Sequence, residues 1–172
     1  MRTSRTTTAI THRHDKQSRD YHLPIIVEIA NQQELLSLDE SRLRDGIRAV
    51  LVDEGITNAN ISVAVVDDAT IKEINAQFLQ HDWATDVISF VLEQRKGFVE
   101  GEIIISAETA AASAGQFGWK ADDELLLYAV HGALHLVGYD DQTPATRKTM
   151  RERERAYLAQ FGLRPRYEDS PS

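Results

Sequence analysis

Eleven residues near the C-terminal end, HGALHLVGYDD at positions 131–141, constrain this chain more than any other stretch. His131 and His135 are four residues apart, a spacing that places both side chains on one face of a helix. Gly138 then allows the chain to leave the helix in a left-handed turn, which can bring Asp141 back to the same side. Two imidazoles and a carboxylate are typical ligands of a catalytic zinc-type ion whose fourth position stays open. The pattern therefore predicts one divalent metal ion bound by His131, His135 and Asp141.

The alternative is an ordinary pair of helical histidines without a metal. Residues 125–137 are apolar apart from these histidines and Gly132, so the helix should be buried on nearly all sides. A buried imidazole needs a partner for each ring nitrogen or loses solvation free energy. A metal ion on one nitrogen and an acceptor on the other would meet that need, which favours the metal site.

Length and composition indicate one globular domain. The 172 residues are enough to bury a sizeable core, and the absence of cysteine leaves histidine and carboxylate as the metal ligands. No apolar run approaches the length of a membrane span, so no membrane partner is expected. The lack of a secretory apolar segment favours the cytoplasm.

The charge distribution bears on nucleic-acid binding. The chain has a formal net charge of −8, which by itself disfavours a phosphate-rich partner. Residues 1–24, rich in Thr, Ser and Arg, carry five basic and two acidic side chains, and the remainder carries 14 basic and 25 acidic ones. An RNA-binding function would therefore need a local basic groove on an acidic body.

The hydrophobic pattern predicts a single α+β domain over residues 25–163. Flexible segments are expected at 1–24 and, as a loose C-terminal tail, at 164–172. The domain should contain a mixed sheet of about four strands and about five helices, with the histidine helix central to the core. Strands are predicted at 25–29, 60–66, 86–91 and 99–105, and helices at about 40–54, after 67–68, at 107–117, around the histidines, and from Pro144 to about 161.

The residues quoted above also resemble a known family. HGALHLVGYDD is similar to the H-G-x-L-H-L-x-G-Y-D-H signature of the YbeY endoribonucleases, agreeing at ten of eleven positions when the two free positions are counted. TDVISF at 85–90 and GEIIIS at 101–106 resemble the family's T-D-V-L-S-F and G-D-I-x-I-S segments. In order and spacing the resemblance covers about residues 25–160.

The resemblance implies a metal-dependent, single-strand-specific endoribonuclease in rRNA maturation and ribosome quality control. Its partners would be single-stranded RNA, chiefly rRNA, and a ribosomal subunit or assembly factors. Glu102, where the family usually has Asp, becomes a candidate catalytic residue for proton transfer or ligand orientation. Asp140 is a second candidate, as an acceptor that holds the outer ring nitrogen of a ligand histidine. Asp86, Ser89 and His81 become candidate substrate contacts. Each acid also has a simpler interpretation: a solvated strand-edge carboxylate for Glu102, a helix-terminal cap for Asp140 and a local turn for Asp86.

Three positions depart from the family pattern. Asp141 replaces the third ligand histidine, and its charge should make a coordinated water less acidic, which moves the activity maximum to higher pH. Leu79 and His81 stand where the family usually has Arg and Lys, so a phosphate-gripping arginine fork is lost. His81 can keep a pH-dependent contact. The basic residues of 147–155 could compensate, although their alternation with glutamates is more typical of a solvated helix face.

Two other functions fit parts of the sequence. A ribosome-assembly RNA- or protein-binding factor with a structural metal fits the loss of the arginine at Leu79. A metallopeptidase fits the His-x3-His-x2-Gly-x2-ligand spacing of the metzincins. Those proteases carry a glutamate directly after the first histidine as general base, whereas this chain has Gly132 there. The sequence therefore ranks the peptidase below the nuclease.

Overall fold

A four-stranded mixed sheet forms the centre of the protein in the computed structural model, which describes residues 24–167. Strands β1, β2 and β4 are parallel, and β3 runs antiparallel to β4 at one edge, in the order β1-β2-β4-β3. This confirms the predicted α+β class and the parallel pairing of the first two strands. The strands are β1 (Ile25–Asn31), β2 (Asn58–Val66), β3 (Val87–Arg95) and β4 (Phe98–Ser106).

Five helices within the described residues cover the sheet unequally. Helices α1, α3, α4 and α5 belong to the large core on one face, and α2 covers the other face. The large core is built from β-branched strand residues and aliphatic helix residues, which exclude water from nearly all of α4. The helices are α1 (Glu40–Asp53), α2 (Asp68–Leu79), α3 (Ala107–Phe117), α4 (Ala121–Leu136) and α5 (Pro144–Ala159).

Helix α4 begins and ends where the local chemistry requires. Acidic side chains fill its first turn, where they complement the positive end of the helix dipole, and Asp123 accepts a hydrogen bond from the backbone of Lys120 at 3.1 Å. At the other end Gly138 has φ +102°, a conformation that L side chains rarely adopt. The backbone N–H of Tyr139 then donates to the carbonyl of Leu134 at 3.0 Å. The chain reverses here as the sequence predicted.

Gly132 allows α4 to lie very close to the β3–β4 hairpin. A Cβ atom at this position would stand 2.7 Å from Cγ2 of Ile103 and 3.0 Å from Oγ of Ser89. A larger residue would have to displace these strand side chains, which belong to a close-packed core. The absence of a glutamate after the first histidine therefore has a structural cause.

Two segments depart from the sequence-based boundaries. Strand β3 continues to Arg95 instead of ending near 91, because a β-bulge between Val91 and Glu93 lets the strand continue its pairing with β4. The tail predicted to be loose from Arg164 is packed as far as Tyr167: Pro165 is buried, and the Tyr167 hydroxyl donates to Glu154.

The remaining predicted tails lie outside the described residues, which exclude 1–23 and 168–172. Among residues 24–167, no helix has the length and apolar character that a membrane-spanning segment requires.

Candidate metal centre

The three predicted ligands meet at the C-terminal end of α4. Nε2 of His131 lies 2.9 Å from Nε2 of His135, and the Asp141 carboxylate oxygens lie 3.5 Å and 3.8 Å from these two nitrogens. Ligand atoms about 2.0–2.1 Å from a tetrahedral zinc ion would be separated by about 3.3 Å. One atom from each residue can therefore reach the same ion with only small adjustments.

The opposite ring nitrogen of each histidine is already held. Nδ1 of His131 lies 2.5 Å from Oε1 of Glu154, and Nδ1 of His135 lies 3.0 Å from the carbonyl oxygen of Tyr139. Both partners are acceptors, so each Nδ1 carries the proton and each neutral ring presents an Nε2 lone pair. In the neutral rings, two Nε2 lone pairs 2.9 Å apart and beside a carboxylate repel one another unless a proton or a metal ion lies between them. The donor set therefore fits a divalent metal ion, with Glu154 and Tyr139 orienting its ligands.

The charges around the two histidines differ. Burial lowers the pKa of His131, but the hydrogen bond to Glu154 and the negative charges of Glu154 and Asp86 outweigh it, so its pKa lies above the ordinary value. Burial and the neighbouring His131 lower the pKa of His135. The neutral form of His135, which is the form that binds metals, is thereby favoured.

A second set of contacts fixes the loop that carries Asp141. The Tyr139 hydroxyl donates to Oε1 of Glu54 at 3.0 Å, while its carbonyl holds His135. The Arg153 guanidinium pairs with Glu54 and with Asp53, so α1, α5 and the metal loop are tied together. Anchoring Tyr139 at both ends restricts the orientation of the His135 ring.

A cleft of about 570 Å³ opens beside His131 and Asp141. Its wall carries cations from two elements: Arg147 and Arg151 of α5, and Arg166 of the C-terminal segment. The aromatic and acidic residues of the lining are Trp119, Glu124, Tyr128, Glu154, Tyr167 and Asp86. Burial raises the pKa of Glu124 above its ordinary value. The three arginines therefore supply local positive charge in a cleft that also holds four carboxyl groups, those of Asp86, Glu124, Asp141 and Glu154.

Comparison with known proteins places this chain in a family. A family model described as endoribonuclease YbeY matches residues 28–162. This range includes all five helices and the whole sheet apart from the first three residues of β1. The chain belongs to the YbeY family. The resemblance drawn from residues 131–141 is thereby confirmed over most of the described domain.

Curated YbeY relatives and one solved structure agree with this assignment. The protein named endoribonuclease YbeY in Rhodopirellula baltica is 43% identical over 130 residues, which cover 74% of this chain and 67% of the relative. The protein of the same name in Moorella thermoacetica is 41% identical over 152 residues, which cover 79% of this chain and 97% of the relative. The Chlorobaculum parvum protein of the same name is 42% identical over 122 residues, covering 71% and 86%. The solution structure of TM1509 from Thermotoga maritima superposes with a TM-score of 0.56 at 27% identity, covering 78% of this chain and 88% of that one.

Glu102 and Ser89 do not lie where the YbeY-like motifs suggested. Glu102 is exposed on the sheet face opposite α4, because its strand neighbour Ile103 points toward Gly132 and successive strand residues alternate between faces. The structure therefore does not bring Glu102 to the metal centre. Ser89 is on the α4 face, but its hydroxyl donates to the carbonyl oxygen of Gly132 at 3.1 Å and so fixes helix packing.

The other predicted residues have mixed positions. Asp140 is exposed and accepts a hydrogen bond from the backbone of Gln142 at 3.3 Å. The outer nitrogen of His135 is held by the Tyr139 carbonyl and not by Asp140. Asp86 lines the cleft and also closes a local turn by accepting from the Val87 backbone at 2.8 Å. His81 is exposed on the loop after α2 and stacks on Trp83.

Sequence reasoning missed Glu154, because it was counted within an alternating run of charges. The carboxylate is only 3% exposed and belongs to the buried stripe of α5 with Met150, Tyr157 and Leu158. Their helical spacing was the available signal: an acid four residues from one apolar position and three from the next faces the core. Trp119 and Arg166, which also line the cleft, were missed as well.

Proposed function

We propose that this chain is a metal-dependent endoribonuclease that acts in rRNA processing. The observation that carries the proposal is the convergence of His131, His135 and Asp141, with the outer nitrogen of each histidine already engaged. The YbeY relatives are named endoribonucleases, and the arginines of the cleft beside the ligands suit a polyanionic substrate.

The two imidazole Nε2 atoms and the Asp141 carboxylate would hold the ion. When bound, it would act as a Lewis acid on a phosphoryl oxygen and make a coordinated water a better nucleophile. Glu154 keeps the proton of His131 on Nδ1, and the Tyr139 carbonyl does the same for His135. These contacts keep both Nε2 lone pairs directed at the ion.

The arginines of the cleft would bind the RNA backbone. Arg147 is exposed and its Nε donates to the backbone carbonyl of Asp141 at 3.2 Å, which leaves its terminal NH2 groups for a phosphate beside the metal ligands. Arg151 and Arg166 line the same cleft. A guanidinium can bind a phosphate through two parallel hydrogen bonds, so these side chains would position the scissile bond.

Several finer features belong to the same proposal. We infer zinc as the ion, since two imidazoles and one carboxylate are ligands that it accepts readily. We further infer single-stranded RNA as substrate, rRNA as its source, a role in ribosome quality control and a cytoplasmic location. A ribosomal subunit or its assembly factors would then be the partners that present the RNA.

Cleavage of a labelled single-stranded RNA tests the proposal. The purified chain should cut it when supplied with zinc, and should lose the activity in the presence of a chelator or when His131 is replaced by alanine. A duplex of the same sequence should be cut more slowly. Glu102→Gln, on the other face of the sheet, is the matched control and should keep full activity.

Cleavage that survives both the chelator and His131→Ala would contradict the proposal. Specific RNA binding without any cleavage would instead support an assembly factor with a structural metal. Digestion of casein would support the peptidase. The close contacts at Gly132 leave no space at that position for the glutamate that serves as general base in the metzincins.

A further inference from the structure

Two aromatic rings are stacked on the surface in the loop between α2 and β3. The ring of His81 lies 4.4 Å from that of Trp83, centroid to centroid, with 13° between the planes. Trp83 is 57% exposed although tryptophan is usually well buried. One face of the indole is thus covered by the imidazole while much of the rest of the ring is in contact with solvent.

A buried asparagine fixes the backbone that carries this pair. Asn75 of α2 is 2% exposed, and its side-chain amide donates to the backbone carbonyl oxygen of Trp83 at 2.8 Å. The backbone carbonyl oxygen of Asn75 accepts from the backbone N–H of His81 at 3.2 Å. Gln80, which ends α2 directly before His81, takes a left-handed conformation with φ 58°. A buried amide is costly unless it is hydrogen-bonded, so these bonds hold the loop in one conformation. The exposed rings are therefore presented on a fixed backbone.

The stacked pair lies close to the proposed active site along the chain. Asp86, whose side chain lines the cleft with His131, is three residues after Trp83. Three residues span at most roughly 10 Å between Cα atoms. The backbone of Trp83 therefore lies within roughly 10 Å of a residue that lines the cleft, a distance that an RNA strand bound in the cleft can cover.

We propose that His81 and Trp83 form a base-stacking platform for single-stranded RNA, with a nucleobase placed on the indole face that His81 leaves open. The platform proposal rests on the proposed function. Bases of single strands stack on exposed aromatic side chains without regard to sequence, because every base has a π face. Such contacts add affinity without positive charge, which suits a chain of net charge −8.

The surroundings favour a base over a protein partner. Asp82, between the two rings in sequence, has a side chain that is 86% exposed and lies 3.6 Å from Lys72. Cores of protein interfaces are depleted of charged residues, and burying this carboxylate would require its desolvation. A stacked base covers only the ring and leaves its own polar edges and Asp82 in water.

Binding of RNA to the full-length, zinc-loaded protein tests the platform. The probe is a 5′-fluorescein single-stranded RNA with 2′-O-methyl groups, followed by fluorescence anisotropy and checked on a gel to be intact. Trp83→Ala should raise Kd about 5- to 150-fold, which corresponds to the loss of one base–aromatic stack. Trp83→Phe, which keeps a π face, should recover most of the affinity. The dependence of Kd on salt should stay the same, because no phosphate contact is lost.

Leu35→Ala is the matched control, since Leu35 is also a large apolar residue, 58% exposed, outside the loop. It should bind RNA as the unaltered chain does. If the unaltered chain binds RNA and Trp83→Ala binds it equally well, the platform is overturned while the nuclease proposal stands. A protein partner would then be the favoured ligand of the two rings. If the unaltered chain neither binds nor cleaves RNA, the proposed function fails and the platform fails with it.

Discussion

The two faces of the sheet differ in how they are covered. On one face, α4 lies so close to the strands that a single added carbon at Gly132 would meet Ile103 at 2.7 Å. On the other face the buried cluster formed by the described residues is small and consists of Val66, Ile71, Ile88 and Ile104. Large apolar side chains remain exposed at the margin of that second face, including Phe78 at 59% and Leu92 at 58%.

This difference shows how the fold separates two tasks. The metal ligands are on or directly after the most buried helix, where neighbouring side chains fix the orientation of each imidazole. The exposed rings of His81 and Trp83 lie on the loop that joins α2 to β3, where the proposed RNA strand would reach them. The support of the metal ligands and the proposed stacking surface are thus supplied by different parts of the fold.

The largest expected effect follows from His131→Ala, on the closely packed face. Removing a ligand should lower the rate of RNA cleavage by more than the roughly 10- to 100-fold that outer residues of metal sites contribute. Single-turnover assays on labelled RNA would measure it. Retention of full activity would show that the buried helix does not carry the chemistry.

Glu154→Gln tests whether the buried side chain behind His131 orients the ligand. The amide keeps the shape of the side chain but removes the charge that holds the Nδ1 proton, so metal affinity should fall by about 10- to 100-fold. Competition with a chromophoric chelator gives the affinity. Glu152→Gln, an exposed neighbour on the same helix, should leave it unchanged, and equal affinities in both variants would contradict the role of Glu154.

Gly132→Ala probes the closeness of α4 to the strands. The added carbon should lower the free energy of unfolding by about 1–3 kcal/mol, because Ile103 and Ser89 would have to move. Gly115→Ala is the control: no atom beyond the backbone of its own helix lies within 4 Å of the added carbon, and alanine at this exposed position of α3 should stabilise by about 0.5–1 kcal/mol. Urea unfolding measures both. A Gly132 variant as stable as the Gly115 variant would remove the evidence for tight packing.

The smallest effect is expected on the opposite face. Glu102→Gln should change the stability by no more than about 0.5 kcal/mol, since the side chain is exposed, and should leave metal affinity unchanged. Isothermal titration with zinc and urea unfolding check the two quantities. A marked loss of metal affinity would show that the two faces are coupled in a way that the structure does not indicate.

The sequence predicted the parts of the site that depend on local geometry. Four-residue helical spacing placed His131 beside His135, and Gly138 provided the turn that returns Asp141 to them. The predicted order of strands and helices was confirmed for the same reason, since periodicity and turn residues act over short distances. These features need no knowledge of how distant segments pack.

The parts that depend on long-range packing were not predicted. Glu102 was assigned to the metal centre, but strand register decides which face a residue occupies, and register is set by pairing with β2 and β3. Glu154 was overlooked, although it is 23 residues from His131 in sequence and 2.5 Å away in space. The packing of Tyr167 on Glu154 likewise depends on where the chain passes after α5.

Metal content tests the central claim most directly. The chain should be purified without any metal-affinity column and its bound metals counted by mass spectrometry, beside Asp141→Ala and Glu102→Gln. We predict close to one divalent ion per chain for the unaltered protein and for Glu102→Gln, and a large loss for Asp141→Ala. A chain that carries no ion, or an Asp141→Ala variant that keeps its full complement, would contradict the account.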